Sequence, residues 1–312
     1  MRAFAVQSFG ELPSVRDIAI PEADRTLLVR VTYAGVNPVD YKLVERLNAY
    51  SSYPFVVGTD FAGVVERVLM EGSGYQPGDR IFGMARKHGA YAEYTSVVPN
   101  IASEPVAHIP EGISDEQAAA LPIPAITALG SLDLLKITTG QKILVTGANG
   151  GVGGYSVQMA HDRGAYVIAT VRGDEGEARR LGAEEVYDTN TVDVIEAIRA
   201  AHSDGVDAVL DLVNGPDAIR RNADILKSGG HLVSTIYAAD EKWFAERHIE
   251  ACNIAGSSNR LSTTQGLKEV VHLLLEGKIT ARIRSTVELE QAGQTLQNLR
   301  KGGLRGKALI RI

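Results

Sequence analysis

The chain has 312 residues, 45% of them hydrophobic and 22% charged, with a formal net charge of −6. That charge argues against a general affinity for nucleic acid or for an anionic membrane surface. The single cysteine, Cys252, excludes an intramolecular disulfide and a four-cysteine metal site, and it suits a reducing, cytoplasmic setting.

The length suggests about two domains. Met1–Gln7 is too short and too polar to read as a signal peptide. No apolar run reaches the ~18–20 residues that span a bilayer, so no membrane association is expected. Residues 1 to about 115 read as mainly β. Thr26–Val36 carries the alternating run Leu28-Val29-Arg30-Val31-Thr32-Tyr33, and Phe61–Val68, Arg80–Met84 and Tyr91–Val98 are further short β-rich runs. Turn signals such as Gly72-Ser73-Gly74 and Pro77-Gly78-Asp79 separate them, as in a barrel or sandwich.

Near residue 115 the character changes. Asp115–Leu135 is rich in Ala and Leu and reads as helix, with Ser114 as its N-cap. Strands are then expected at Lys142–Thr146, Ala165–Val171, Glu185–Tyr187, Ala208–Leu212 and His231–Ile236. Helices alternate with them at Tyr155–Arg163, Asp174–Leu181, Val192–His202 and Ala218–Lys227. This alternation predicts a doubly wound parallel sheet. Beyond about 255 a helix at Thr264–Glu276, a strand near Ile283, a helix at Leu289–Arg300 and a last strand at Lys307–Ile310 are expected. That last strand is short and needs a sheet to join, so the tail is expected to return to the first domain.

The most informative stretch is Val145-Thr146-Gly147-Ala148-Asn149-Gly150-Gly151-Val152-Gly153-Gly154. It lies between a buried-strand pattern and a helical one. The anionic pyrophosphate of a dinucleotide must approach the positive end of a helix against backbone N–H groups. Side chains at the turn positions would hold the backbone away, which is why glycine is needed. Gly147, Asn149, Gly150, Gly151, Val152 and Gly153 are therefore candidate cofactor-binding residues.

An NAD-specific site places an acid about 20 residues after the glycines. Here the expected strand end reads Ala169-Thr170-Val171-Arg172-Gly173-Asp174, so a base comes first. Arg172 and Thr170 are suited to a 2′-phosphate, which points to NADPH. The alternative is a solvated Arg172 with Asp174 as the ribose acid.

Several blocks resemble one family in order and spacing. They are Ala34-Gly35-Val36-Asn37-Pro38-Val39-Asp40, Gly58-Thr59-Asp60-Phe61-Ala62-Gly63-Val64-Val65, Gly78-Asp79-Arg80-Ile81-Phe82-Gly83 and Gly89-Ala90-Tyr91-Ala92-Glu93-Tyr94. Ala118-Ala119-Ala120-Leu121-Pro122 with Thr127, the glycine loop, Leu181-Gly182-Ala183, Gly205–Asp211 and Gly229-Gly230 follow. The chain resembles a zinc-independent medium-chain dehydrogenase/reductase of the quinone oxidoreductase (zeta-crystallin-like) branch. The resemblance implies an α/β fold in which a GroES-like, mainly β catalytic domain is joined to a Rossmann domain. The expected division is residues 1–117 catalytic, 118–255 Rossmann and 256–312 returning to the catalytic domain.

Zinc is disfavoured by the residues themselves. The seven histidines show no paired ligand spacing, and a catalytic zinc needs about three protein ligands. The resemblance adds that zinc-dependent relatives carry a cysteine where this chain has Asn37-Pro38-Val39-Asp40. No metal site is therefore expected. Without a metal, hydride transfer to an already electrophilic quinone or α,β-unsaturated carbonyl is favoured over alcohol oxidation. Two rivals are a 2-enoyl thioester reductase, with Arg46, Arg86 and Lys87 as scattered carrier-binding bases, and a noncatalytic NADPH-binding redox sensor.

By resemblance, Asn37 orients the nicotinamide or the substrate oxygen. Asp40 is either an active-site contact or a turn and capping residue. Tyr50 and Tyr53 lie on a polar loop as candidate proton donors or as surface aromatics. Quinone-reducing relatives often carry a Tyr where this chain has Lys42. Thr127 matches the position whose hydroxyl approaches the carboxamide in relatives, or else caps within its own helix turn. Val213, Asn214, Ile236 and Tyr237 follow strands whose carboxyl ends bind ligands in open α/β sheets. Asp60 and Asp79 read as structural turn residues. The run Cys252–Ala255 is a candidate sheet edge, and relatives imply a homodimer paired there.

Overall fold

A computed structural model of the chain describes residues 1–312 other than 23, 25, 86–88, 100, 102–103 and 255–262. Arg86, Lys87 and Ala255 thus lie outside the described residues. In chain order the first elements are β1 (Arg2–Val6), β2 (Ser14–Asp17), β3 (Leu27–Gly35), α1 (Pro38–Glu45), β4 (Phe55–Val56) and β5 (Asp60–Val68). Then come β6 (Arg80–Met84), β7 (Tyr94–Val97), β8 (Val106–His108), α2 (Asp115–Ala119) and α3 (Pro122–Leu134). The alternating part follows as β9 (Lys142–Val145), α4 (Gly151–Asp162), β10 (Tyr166–Val171), α5 (Glu175–Arg180), β11 (Glu185–Asp188) and α6 (Val194–Ala201). It continues through β12 (Val206–Asp211), α7 (Pro216–Arg220), β13 (Leu226–Ser234), α8 (Glu241–Ala245) and β14 (Glu250–Asn253). The tail holds α9 (Thr264–Leu275), β15 (Ile283–Glu288), α10 (Ala292–Arg300) and β16 (Lys307–Arg311).

The chain divides into two compact units. One is Met1–Pro124 with Leu261–Leu275 and Ala281–Ile312; the other is Ala125–Arg260 with Glu276–Thr280. In the first unit a sheet runs β15-β16-β3-β5-β6-β8, and β7 also pairs with β3. One side of β3 is shared: β7 pairs with Leu27–Arg30 and β16 with Tyr33–Gly35. That sharing explains why six of its nine residues are buried, since both edges of the strand are paired. Its core gathers Phe4, Val29, Phe61, Val65, Ile81, Tyr91, Leu296 and Ile310.

In the second unit the sheet runs β11-β10-β9-β12-β13-β14, with parallel pairing throughout. Chain order reverses between β9 and β12. Ligands of such sheets bind outside the carboxyl ends of the strands at that reversal. The strands are near-continuous apolar runs because helices bury parallel sheets on both faces. Leu144, Ile168, Val209, Leu232 and Phe244 belong to this core.

Two elements differ from the sequence reading. Asp115–Leu135 is two helices, not one, because Pro122 lacks an N–H and disfavours helical backbone at Leu121. Ser114 does cap the first of them, accepting from the Gln117 N–H. The expected helix Ala218–Lys227 is instead the short α7, started by Pro216, and a strand that already begins at Leu226. Leu226 pairs with Val206, and the Gly229-Gly230 pair is a poor helix continuation.

Candidate functional site

The second unit carries a dinucleotide cradle. β9 ends at Val145, and α4 starts at Gly151 with Gly150 as its N-cap. Gly147 has φ +69°, a left-handed conformation that favours glycine. A Cβ on Gly153 would lie 2.3 Å from the Gly147 carbonyl oxygen, so α4 can sit against the turn only with glycine there. The first-turn N–H groups at Gly151, Val152 and Gly153 have no intrahelical acceptor by the geometry of a helix start, and they carry the positive end of the dipole. Beside them the Asn149 side chain is buried, and its Oδ1 has no hydrogen-bond partner among the described residues. An orphaned buried acceptor, first-turn amides without intrahelical acceptors and a turn without room for side chains fit a nicotinamide dinucleotide.

The adjoining loops are pinned to this turn. The Gly147 N–H donates to Thr170 Oγ1 at 3.1 Å, and Asn149 Nδ2 donates to the Asp174 carbonyl at 3.1 Å. Thr170 is therefore a buried support beneath the glycine loop rather than a residue facing a phosphate, which corrects the sequence reading. Arg172 is exposed at the end of β10, with no ion-pair partner among the described residues. Asp174 adopts φ +39° and ends this loop as the N-cap of α5. The buried Asp211 carboxylate accepts from the N–H groups of Val213 (3.1 Å) and Asn214 (2.9 Å), and from the side chains of Asn214 (2.6 Å) and Asn222 (3.0 Å). Those donors fix the turn after β12, and Val213 covers Gly147: a Cβ there would meet Val213 Cγ1 at 2.7 Å. Ile236 and Tyr237 are exposed after β13, Tyr237 with φ +62°. Thr127 is buried in α3, and its carbonyl accepts from the Ser131 hydroxyl at 2.7 Å.

The first unit carries a different kind of site, a fully buried charged cluster around the start of α1. The Asn37 N–H donates to Asp40 Oδ2 at 2.7 Å, so Asp40 caps the helix whose first residue is Pro38. Tyr91 donates its hydroxyl to the same oxygen at 2.8 Å, and Thr59 donates to Asp40 Oδ1 at 3.1 Å. Asn37 Nδ2 donates to Asp60 Oδ2 at 2.8 Å and to the Gly35 carbonyl at 3.3 Å. Lys307 Nζ, from the last strand, donates to Asn37 Oδ1 at 2.6 Å and to Asp60 Oδ2 at 3.2 Å. The Ile123 N–H donates to both Asp60 oxygens.

Asp40 and Asp60 are 0% exposed and Lys307 only 3%. Burial pushes the Asp40 carboxyl up to about 7, against hydrogen bonds from Tyr91 and Asn37 that pull it down. Burial also raises Asp60, opposed first by the Lys307 charge. The Tyr91 hydroxyl is held well above its ordinary range by burial and by Asp40.

Glycines make room for this cluster. A Cβ on Gly35 would meet the Ala119 carbonyl oxygen at 2.5 Å and Lys307 Cε at 2.9 Å, and one on Gly58 would meet the Tyr91 ring at 2.2 Å.

Four sequence expectations are sharpened or corrected by this geometry. Asp40 is the capping residue of its two alternatives. Both polar ends of the Asn37 side chain are engaged inside the cluster, which fixes the orientation of its amide. Tyr50 is 98% exposed, and the Tyr53 hydroxyl donates to the Asn48 carbonyl at 2.9 Å, closing its own loop. Neither tyrosine joins the cluster as a proton donor. Asp60 is no turn residue: it opens β5 and pairs with Lys307, whereas Asp79 does brace its turn through the Gln76 N–H. Lys307, Tyr91 and Thr59 were not singled out by sequence. The signal available was the glycine at 35 and at 58, each in a block where a side chain is sterically excluded.

The donor set does not fit zinc. Asp60 is taken by an ammonium, Asp40 by three hydrogen-bond donors, and the described residues contain no group of three or more His, Cys, Asp or Glu poised around a common point.

Comparison with known proteins finds two family profiles on the chain. The profile described as "Alcohol dehydrogenase GroES-like domain" matches residues 23–110, and that described as "Zinc-binding dehydrogenase" matches residues 151–276. The quinone oxidoreductase of Mus musculus is 30% identical over 330 residues, covering 99% of this chain and 97% of the mouse protein. The chain belongs to the quinone oxidoreductase branch of the medium-chain dehydrogenases/reductases. The Homo sapiens quinone oxidoreductase is 33% identical over 244 residues, 75% of this chain and 72% of the human protein. The solved quinone oxidoreductase of Coxiella burnetii superposes with a TM-score of 0.86 at 28% identity, covering 100% of this chain and 99% of that one. The protein is accordingly an NAD(P)H-dependent oxidoreductase with a small-molecule substrate. No helix among the described residues is long and apolar enough to cross a membrane.

Proposed function

We propose that this oxidoreductase is an NADPH-dependent, metal-free reductase of quinones or α,β-unsaturated carbonyls. The observation that carries the proposal is a complete dinucleotide cradle in a chain whose buried cation is an ammonium paired with Asp60, not a metal ligand set. Similarity to quinone oxidoreductases over nearly the whole chain supports the acceptor class. Bound NADPH supplies a hydride. Gly147–Gly153 would hold the pyrophosphate at the start of α4, and Asn149 Oδ1 would be free to accept from the cofactor. Exposed and unpaired, Arg172 offers a planar fork of donors to the 2′-phosphate. The acceptor gains a proton from solvent as its oxygen anion is quenched, so no titrating tyrosine is required. The homodimer expected from the family would pair the β14 edge with its counterpart.

The test is oxidation of NADPH and of NADH, followed at the nicotinamide absorbance, against 9,10-phenanthrenequinone, an alkenal and crotonyl-CoA, with a simple alcohol plus NADP+ in reverse. Turnover of the quinone or alkenal with NADPH is expected. Arg172→Ala is expected to raise KM for NADPH about tenfold and leave KM for NADH within about twofold, the size of one lost charged hydrogen bond. NADPH binding without turnover of any acceptor would instead favour a redox sensor. A dominant crotonyl-CoA activity would favour the enoyl thioester reductase.

A further inference from the structure

Lys307 and Asp60 stand out because burying charge is costly and nothing about the strand pairing requires it. Replacing a buried ion pair with apolar residues is often neutral or stabilising, so such a pair is weak evidence of a stabilising role. What this pair does do is specific. Lys307 Nζ and Asp60 Oδ2 grip the two ends of one amide, Asn37, from opposite sides at 2.6 Å and 2.8 Å. The amide can satisfy both only in one orientation. Asn37 is the N-cap of α1, and its own N–H is held by Asp40. The two ends of the clamp lie 247 residues apart in the chain and meet at 3.2 Å.

We propose that Lys307 and Asp60 are positioning residues for the reduction: they lock the Asn37 amide and through it the first turn of α1, the turn whose Asn37 the family resemblance assigns to orienting the nicotinamide or the substrate oxygen. The proposal rests on the reductase reading for its kinetic consequence, though not for its structural one. The charged and titratable groups facing the clamp are Asp40 on α1, Tyr91 from the segment before β7, Asp60 on β5 and Lys307 on β16. The remaining contacts are neutral: Thr59, the Gly35 carbonyl and the Ile123 N–H.

The experiment compares wild type, Lys307→Met and the double variant Lys307→Met/Asp60→Asn as full-length protein. Melting temperature, amide hydrogen exchange of peptides spanning residues 36–46, and kcat and KM with NADPH and 9,10-phenanthrenequinone are measured. In Lys307→Met, exchange over 36–46 is expected to quicken at least tenfold, and kcat to fall at least tenfold with KM changed less than threefold. The double variant removes both members of the ion pair and leaves Asp40, with its hydrogen-bond donors, as the remaining carboxyl of the clamp. It is expected to regain most of the melting temperature while keeping fast exchange and low kcat, because Asn37 Oδ1 still lacks its donor. Recovery of exchange and kcat together with stability overturns the proposal, as does a lower melting temperature with wild-type exchange and kcat. If Lys307→Met does not accumulate folded, the double variant alone decides between these outcomes. Wild-type protein that turns over no acceptor defeats the reductase reading, and the exchange comparison then tests the clamp by itself.

Discussion

The two units solve the same problem, holding polar groups still, by opposite means. The glycine loop does it with backbone: left-handed φ, a helix start and the removal of every Cβ in the way. The α1 turn does it with side chains: a helix cap, two carboxylates, an ammonium and a tyrosine, sealed from water. A backbone site tolerates change in side chain but not in size. A side-chain site tolerates change in size poorly and change in charge worse. It is also the one whose behaviour depends on pH.

The sharpest way to break this contrast is Gly153→Ala. A methyl at 2.3 Å from the Gly147 carbonyl must push α4 off the turn, and NADPH affinity is expected to drop at least 100-fold by fluorescence titration while the fold persists by circular dichroism. Unaltered affinity would mean that the cradle is not shaped by steric exclusion. Next in size is Asp60→Leu, which strands Lys307 in the interior. A loss of about 3–5 kcal/mol in urea unfolding is expected, and a loss under about 1 kcal/mol would show the ammonium to be solvated.

The third prediction concerns acidity. The Asp40 carboxyl titrates near 7 in the folded protein against an ordinary value of 3.8. Between those values the folded protein holds a proton that the unfolded chain has lost, so stability falls as pH rises through the window and levels off above it. Asp40→Asn removes this titration and, because the amide can still accept from the Asn37 N–H and donate to Thr59, keeps the cap. The wild type is therefore expected to lose stability relative to Asp40→Asn between pH 5 and 8, by at most about 3 kcal/mol. A pH-independent difference by calorimetry defeats the idea. The smallest effect is expected from Tyr50→Phe, with kcat within about twofold of wild type, since that ring is solvent-exposed. A tenfold drop would restore Tyr50 as a proton donor.

This same contrast explains what could be read from the sequence. The cradle was legible because its chemistry is local: glycines at 147, 150 and 153 stand between a strand and a helix, within one uninterrupted stretch. The parallel sheet was legible through its repeating alternation, although Pro122 and the Gly229-Gly230 pair moved two helix boundaries. The cluster was illegible because its members are scattered from Asn37 to Lys307. Nothing local to Lys307 distinguishes a buried lysine from the solvated ones. Asp60 looked like turn chemistry for the same reason: its partner lay 247 residues away. Tyr50 and Tyr53 misled in the other direction, since residue type and loop position suggested reactivity that exposure and a loop hydrogen bond do not support.

The place of β16 beside β3 has a bearing on synthesis. Leaving the ribosome, β3 emerges long before the strand that covers its Tyr33–Gly35 edge, and the ammonium that answers Asp60 follows that carboxylate by 247 residues. Domains usually fold in the order they emerge. In this chain the stretch from 125 onward can complete its own sheet first, while β3 and Asp60 wait with an open strand edge and an unanswered carboxylate. The β3 edge is thus closed late, and a nascent chain stalled before residue 307 would expose both features to any chaperone or protease nearby.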